Sequence, residues 1–214
     1  MEGEAKKRLG GKQGLGEALE PSSSHGINPR DRGLGRLDLE AEFGNRHPVI
    51  LEIGSGKGRF LIDEALANPG LNYVGIEMAL QYYRIVKDRI EKRDLPNVRI
   101  INYDATEVIS KMLGDQSVRE VHIYFPDPWP KKRQKKRRFV QDDALEQLAR
   151  ILDDSGSGLF VTDHQGYFED SLPVFERWFR TEPGDVTHGE PRTNYEAKYR
   201  EEGRPIYEIR FWKK

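Results

Sequence analysis

The chain has 214 residues, a formal net charge of −1, no cysteine and five scattered histidines, which excludes a disulfide framework and a thiolate metal site and leaves no metal expected. No apolar run approaches the ~20 residues that span a bilayer, and the N-terminus lacks the apolar core of a signal peptide, so we expect a soluble, cytoplasmic protein with no membrane partner. The length suits one well-buried domain with an appendage.

Residues 1–36 contain eight glycines, seven Lys or Arg and no aromatic residue. This composition reads as a flexible basic tail, either inert or a source of nonspecific phosphate contacts. The folded domain is expected over residues 37–214. From Pro48 onward short apolar strands alternate with segments of helical period. Val49 to Ile53 is a strand, and Arg59 to Ala67 a helix with Phe60, Leu61 and Leu66 on one face. Asn72 to Glu77 and Val98 to Asn102 are the next strands, separated by a helix from Leu80 to Lys92. Val121 to Phe125 is a fourth strand. A helix from Gln141 to Leu152, a strand from Gly158 to Thr162 and a helix from Tyr167 to Arg180 follow. Ile206 to Trp212 alternates apolar and polar residues, as an antiparallel strand with one wetter face does. The expected fold is α/β: a doubly wound, mostly parallel seven-stranded sheet, Rossmann-like, with an antiparallel last strand.

The stretch VILEIGSGKG drives a strand through Gly54, Gly56 and Gly58 directly into a helix. Glycines there let the backbone turn sharply and approach a ligand at the carboxyl end of the strand. The spacing is G-x-G-x-G with Arg59 next, not the dinucleotide G-x-G-x-x-G. A pyrophosphate would also be repelled by Glu52, immediately before the turn, whereas a sulfonium with a free amino group would not. These two facts favour S-adenosylmethionine over NAD. Glu77, at the end of the second strand, is suited to accept from both ribose hydroxyls, and Asp104, after the third, to reach the adenine amino group.

YFPDPWPKKRQKKRR, residues 124–138, is the most specific segment. Prolines 126, 128 and 130 withhold donors and fix φ, so this is a stiffened loop that presents Asp127 and Trp129 at the crevice mouth. Seven of the eight residues from Lys131 to Arg138 are basic, so the remainder of a chain of net charge −1 carries −8. A basic run alone is most often a solvated face or a targeting signal. Beside a cofactor crevice it fits recognition of a polyanion.

The combination of LEIGSGKG, PDPWPKK and the later TNYE resembles the bacterial tRNA (guanine-N7-)-methyltransferase family, over the chain from about Leu34 to its end. The resemblance implies a class I methyltransferase fold and methylation of N7 of the guanosine at tRNA position 46, in the variable region. It implies cofactor contacts at Glu52, Glu77, Asp104 and Asp127, joined by the turn glycines Gly54 and Gly56. It also implies substrate contacts at Lys131, Asp163 and the run Thr193, Asn194, Tyr195 and Glu196, with Asp127 catalytic. Family members often carry histidines within the basic run where this chain has Gln134 and Lys135, a change that keeps the charge. Competing readings are a class I methyltransferase acting on a protein or small molecule, and a noncatalytic RNA-binding subunit.

Neutral guanine already has a free lone pair on N7, so the reaction needs in-line placement and compensation of the charge growing on the purine rather than a strong base. Asp127 suits that compensation, and equally suits holding the methionine amino group. Selecting guanine requires acceptors for N1–H and N2–H, and Asp163 and Glu196 are the candidates; Asp163 also reads as a helix-start cap. Residues 193–196 lie in a loop that by itself reads as a connector; the resemblance implies a lid over the cofactor, with Tyr195 packing against a ring and Lys198 and Arg200 near phosphate.

Overall fold

The computed structural model describes residues 24–186 and 189–214. Its eight strands are β1 (Gly26–Ile27), β2 (Val49–Ile53), β3 (Asn72–Ile76), β4 (Val98–Ile101), β5 (Val118–Tyr124), β6 (Leu152–Thr162), β7 (Phe179–Asp185) and β8 (Tyr207–Lys213). They form one sheet in the order β1-β4-β3-β2-β5-β6-β8-β7. All pairings from β1 to β6 are parallel, and β8 runs antiparallel to both neighbours. Every residue of β2 and β3 is buried, as expected of central parallel strands covered on both faces. From β2 the chain crosses to β3 on one side, while β5 pairs on the other. The switch point, where such sheets bind ligands, therefore lies above the carboxyl ends of β2 and β5.

Among the described residues the eight α-helices are α1 (Pro29–Arg32), α2 (Leu39–Phe43), α3 (Arg59–Ala67), α4 (Leu80–Lys92), α5 (Ala105–Lys111), α6 (Asp142–Ile151), α7 (Gln165–Trp178) and α8 (Asn194–Glu201), and a 3-10 helix spans Lys132–Arg137. On one face of the sheet Ile50, Phe60, Leu61, Val86 and Ile90 form a core beneath α3 and α4. On the other, Leu51, Val121, Leu145, Leu148, Phe175 and Phe211 pack beneath α6 and α7. Glu52 shares the parity of Ile50, so its side chain lies on the α3 side.

The sheet has eight strands where the sequence suggests seven. Six of the eight are read as strands in the sequence; β7 is not, and neither is β1, which pairs with β4 through Gly26↔Ile100 and Ile27↔Ile101. Two residues give no period to read, yet Ile27 is fully buried. Of the segment read as a tail, residues 1–23 lie outside the described residues, and 24–36 carry β1 and α1. The strand β7 takes over from α7 at Phe179, inside the stretch whose periodicity suggests helix up to Arg180. Residues 194–196, which the sequence suggests lie in a loop, begin the helix α8: Thr193 caps it, its Oγ1 accepting from the Glu196 amide at 3.1 Å. No helix among the described residues is long and apolar enough to cross a membrane.

Candidate active site

The turn after β2 is built on left-handed backbone at Gly54, Gly56 and Gly58, with φ of 77°, 53° and 72°. Gly58 has a second constraint, since a Cβ there would meet Val86 Cγ2 at 2.8 Å. The Gly54 and Ser55 amides donate to the Ile76 carbonyl at 2.8 and 3.2 Å, stitching the turn to the end of β3. Glu77 completes the stitch: one carboxylate oxygen accepts from the Gly56 amide at 2.7 Å and the other from the Ala79 amide at 2.7 Å. Each oxygen keeps a second lone pair for a ligand. Burial pushes the Glu77 carboxyl above its ordinary value; the Ala79 and Gly56 amides oppose the rise and Asp127 adds to it.

Two adjoining cavities, of about 280 and 380 Å³, open over this turn and share Gly54, Gly56, Tyr82, Tyr124 and Tyr195. The smaller lies over β2. Glu52 forms part of its wall together with Ser55, Lys57, Arg59, Asn194 and Lys198. Glu52 is only 2% exposed, and its Oε2 has no hydrogen-bond partner. Burial pushes its carboxyl up to about 8; the Ser55 hydroxyl opposes the rise and the Glu77 charge adds to it. The larger cavity is a groove bordered by Glu77, Asp104, Asp127, Tyr103, Trp129 and Tyr195. Asp104 caps α5, and its bonds from the Thr106 and Glu107 amides and the Thr106 hydroxyl all fall on Oδ1. That leaves Oδ2 to serve a ligand, so capping and binding coexist at this residue.

The loop that carries Asp127 is strained and braced. Phe125 and Trp129, on either side of it, have φ of 49° and 39°, a conformation that costs a bulky residue about 1–3 kcal/mol and persists only where neighbours enforce it. Here the Phe125 amide donates to the Val161 carbonyl at 2.8 Å, and Arg137 lies over the Trp129 ring at 5.0 Å. Arg138 does most. Only 5% exposed, it donates to the Pro128 carbonyl and to Asp170, both at 2.6 Å, and its guanidinium covers the Tyr167 ring. The basic run thus divides: Arg138 anchors the loop, Lys135 pairs with Asp170, and Lys131, Lys132, Arg133 and Lys136 face solvent.

The remaining expected site residues separate. Thr193, Asn194 and Tyr195 border the smaller cavity. Tyr195 stands with Phe125 and Tyr199 in an aromatic group, with ring centroids 5.3 to 6.4 Å apart. Glu196 does not face the groove. It is 0% exposed, accepting from the Arg192 amide and Nε at 3.2 and 3.0 Å and from Arg200. Asp163 is half-buried and paired with Arg204 at 3.1 Å, while the cap of α7 is His164, whose Nδ1 accepts from the Tyr167 amide. Lys57, Arg59, Tyr82 and Tyr124 also border these cavities, and the sequence reading passes over them, although Lys57 and Arg59 sit within the glycine turn and the helical turn that follows it. Among the described residues no group of three or more His, Asp or Glu is placed to hold a metal ion.

The family model described as "Putative methyltransferase" matches residues 46–209. A tRNA (guanine-N(7)-)-methyltransferase of Streptococcus gordonii is 33% identical over 211 residues, covering 94% of this chain and 97% of the relative. The chain belongs to this methyltransferase family. A relative of the same name from a Geobacillus species is 37% identical over 172 residues, 77% of this chain and 78% of its own length. In fold, the chain is similar to a 30S ribosomal A1408 methyltransferase from an uncultured bacterium, with a TM-score of 0.59 at 18% identity, covering 83% of this chain and 93% of that one.

The cofactor is S-adenosylmethionine, and the residues present suit it: Glu52 offers a buried carboxylate oxygen that no hydrogen-bond donor occupies, and Glu77 and Asp104 keep acceptor capacity. The raised value of Glu52 has a measurable consequence. If the cofactor's ammonium pairs with Glu52, it needs the ionised carboxylate, which becomes the main form in the free protein only as pH passes about 8. Affinity for S-adenosylhomocysteine should therefore climb up to about tenfold per pH unit toward pH 8 and then level, with a proton released on binding at neutral pH. Calorimetry in buffers of different ionisation enthalpy reads that proton, and Glu52→Gln should abolish it. The sign for stability is opposite. The folded value lies above the unfolded one of about 4.5, so this group's contribution is complete below pH 4.5 and is lost as pH rises through about 8.

Proposed function

We propose that the chain transfers a methyl group from S-adenosylmethionine to N7 of the guanine at position 46, in the variable region of tRNA, in the cytoplasm. The observation that carries this reading is the groove itself: an exposed carboxylate, Asp127, on a braced loop, flanked by aromatic rings and continued by solvent-facing cations. S-adenosylmethionine supplies the methyl group as a sulfonium electrophile. Asp127 offsets the positive charge that grows on the purine as N7 attacks. Glu52 borders the smaller cavity and Asp127 the groove, which supports Glu52 as the acid for the methionine amino group and Asp127 as the one for the base. Trp129, Tyr103 and Tyr195 offer stacking faces for a splayed-out guanine. Asp163, partly exposed, is our acceptor for guanine N1–H and N2–H, in exchange for its pair with Arg204. Thr193, Asn194 and Glu196 act through the lid: Thr193 starts α8 and Glu196 anchors it.

The decisive experiment is incubation with unmodified tRNA and methyl-labelled cofactor, followed by chemical cleavage at 7-methylguanosine. Label at position 46 supports the reading; label at another base, or only in protein, sinks it. Lys131 is exposed and begins the cationic stretch. Lys131→Ala should weaken tRNA binding and reduce the slope of log affinity against log salt by about 1, because one phosphate contact is lost.

A further inference from the structure

The cavity over β2 carries charges of both signs. Glu52 contributes a buried carboxylate with an unpartnered oxygen. Lys57 and Arg59 reach the same cavity from the glycine turn and the start of α3, and Lys198 from α8. The present partners of two of these cations are loose and local: Arg59 lies 3.5 Å from Asp63 on α3 and Lys198 lies 3.7 Å from Glu202 at the end of α8, each four residues on. Exposed pairs of this kind contribute little, so both cations can turn to a better partner at small cost. An acid on one wall and bases on another complement an α-amino-acid zwitterion, which presents an ammonium and a carboxylate about two bonds apart.

Resting on the cofactor assignment above, we propose that Arg59 and Lys198 hold the carboxylate of the cofactor's methionine end while Glu52 takes its ammonium. Arg59 belongs to the sheet-bound helix α3 and Lys198 to the lid, so one carboxylate bridges the two and closes α8 over the cavity. Tyr195 lies one turn before Lys198 on the same helix and borders both the cavity and the groove. Closure by the cofactor therefore sets Tyr195 at the groove before a base enters, which orders the two binding events.

Equilibrium titration of the full chain with S-adenosylhomocysteine and with its decarboxylated analogue tests the clamp. Wild type should prefer the intact ligand by at least about tenfold, the scale of a charge-assisted hydrogen bond. Arg59→Ala and Lys198→Ala should each lose about tenfold for S-adenosylhomocysteine and little for the analogue. In hydrogen exchange, S-adenosylhomocysteine should protect the amides of residues 194–201, and the analogue should not. Variants that weaken both ligands equally, or equal protection by the analogue, would overturn the proposal. No binding of S-adenosylhomocysteine by wild type would instead defeat the cofactor assignment, and the clamp with it.

Discussion

Asp127→Ala should lower kcat for methyl transfer by about 10²–10³, the usual cost of removing one preorganised group aimed at charge that develops in the transition state, while S-adenosylhomocysteine binds as in wild type. The separation follows from geometry. Glu52 borders the cavity over β2 and Asp127 the neighbouring groove, so on the proposed assignment loss of Asp127 leaves the acid of the methionine end in place. Asp127→Asn keeps the shape and deletes the charge, and it should recover little of the rate, because the amide dipole compensates a purine cation poorly. Single-turnover rates with saturating tRNA, set beside equilibrium cofactor binding, measure both halves. A cofactor affinity that falls in step with kcat would return Asp127 to the methionine amino group and refute its role on the base.

The rate loss depends on the loop as much as on the carboxylate. Phe125 and Trp129 hold left-handed backbone on each side of Asp127, and Arg138 fastens the loop to Asp170 and to the Pro128 carbonyl. Strain of this kind, imposed by packing, fixes a side chain before substrate arrives, and placement then costs nothing at the moment of reaction.

Much of this was legible in the residues because it rests on local patterns. The helix Leu80–Lys92 and strand Val49–Ile53 coincide with their periodic stretches, and G-x-G-x-G marks a turn that only left-handed backbone can make. What escaped reading was decided by partners distant in sequence. β1 is a strand because Gly26 and Ile27 find the open edge of β4. Arg138 is indistinguishable by type from its basic neighbours, and only the fold sets it against Asp170 and Tyr167. Arg59 registers in the sequence as a break in the dinucleotide pattern; its place in a cavity with Lys198, 139 positions later, exists only once α8 has folded back. The acids divide the same way. Glu52 and Glu77 sit where strand ends put them, whereas Glu196 occurs in a motif implying substrate contact and is enclosed by two arginines.

That enclosure leads to the second large effect. Glu196→Ala should strip α8 of its anchor, because it leaves Arg192 and Arg200 facing a site from which the carboxylate has gone. Removing one member of a buried ion pair costs about 3–5 kcal/mol. Arg192 retains Glu208 at 3.4 Å, which places the loss toward the lower figure. It should fall on the lid rather than the core, since no buried member of either apolar cluster comes from α8. Amides of residues 194–201 should exchange freely in the variant, while those of β2, β3 and β5 keep wild-type protection. Cofactor affinity should drop as well, since Asn194, Tyr195 and Lys198 leave the cavity with the helix. Glu196→Gln, whose single carbonyl oxygen still accepts from one of the two arginines, should recover part of the protection. A Glu196→Ala variant that kept α8 protected and bound cofactor normally, yet failed to turn over tRNA, would restore the direct guanine contact. The fold argues for the anchor, because both carboxylate oxygens are already committed to arginine donors.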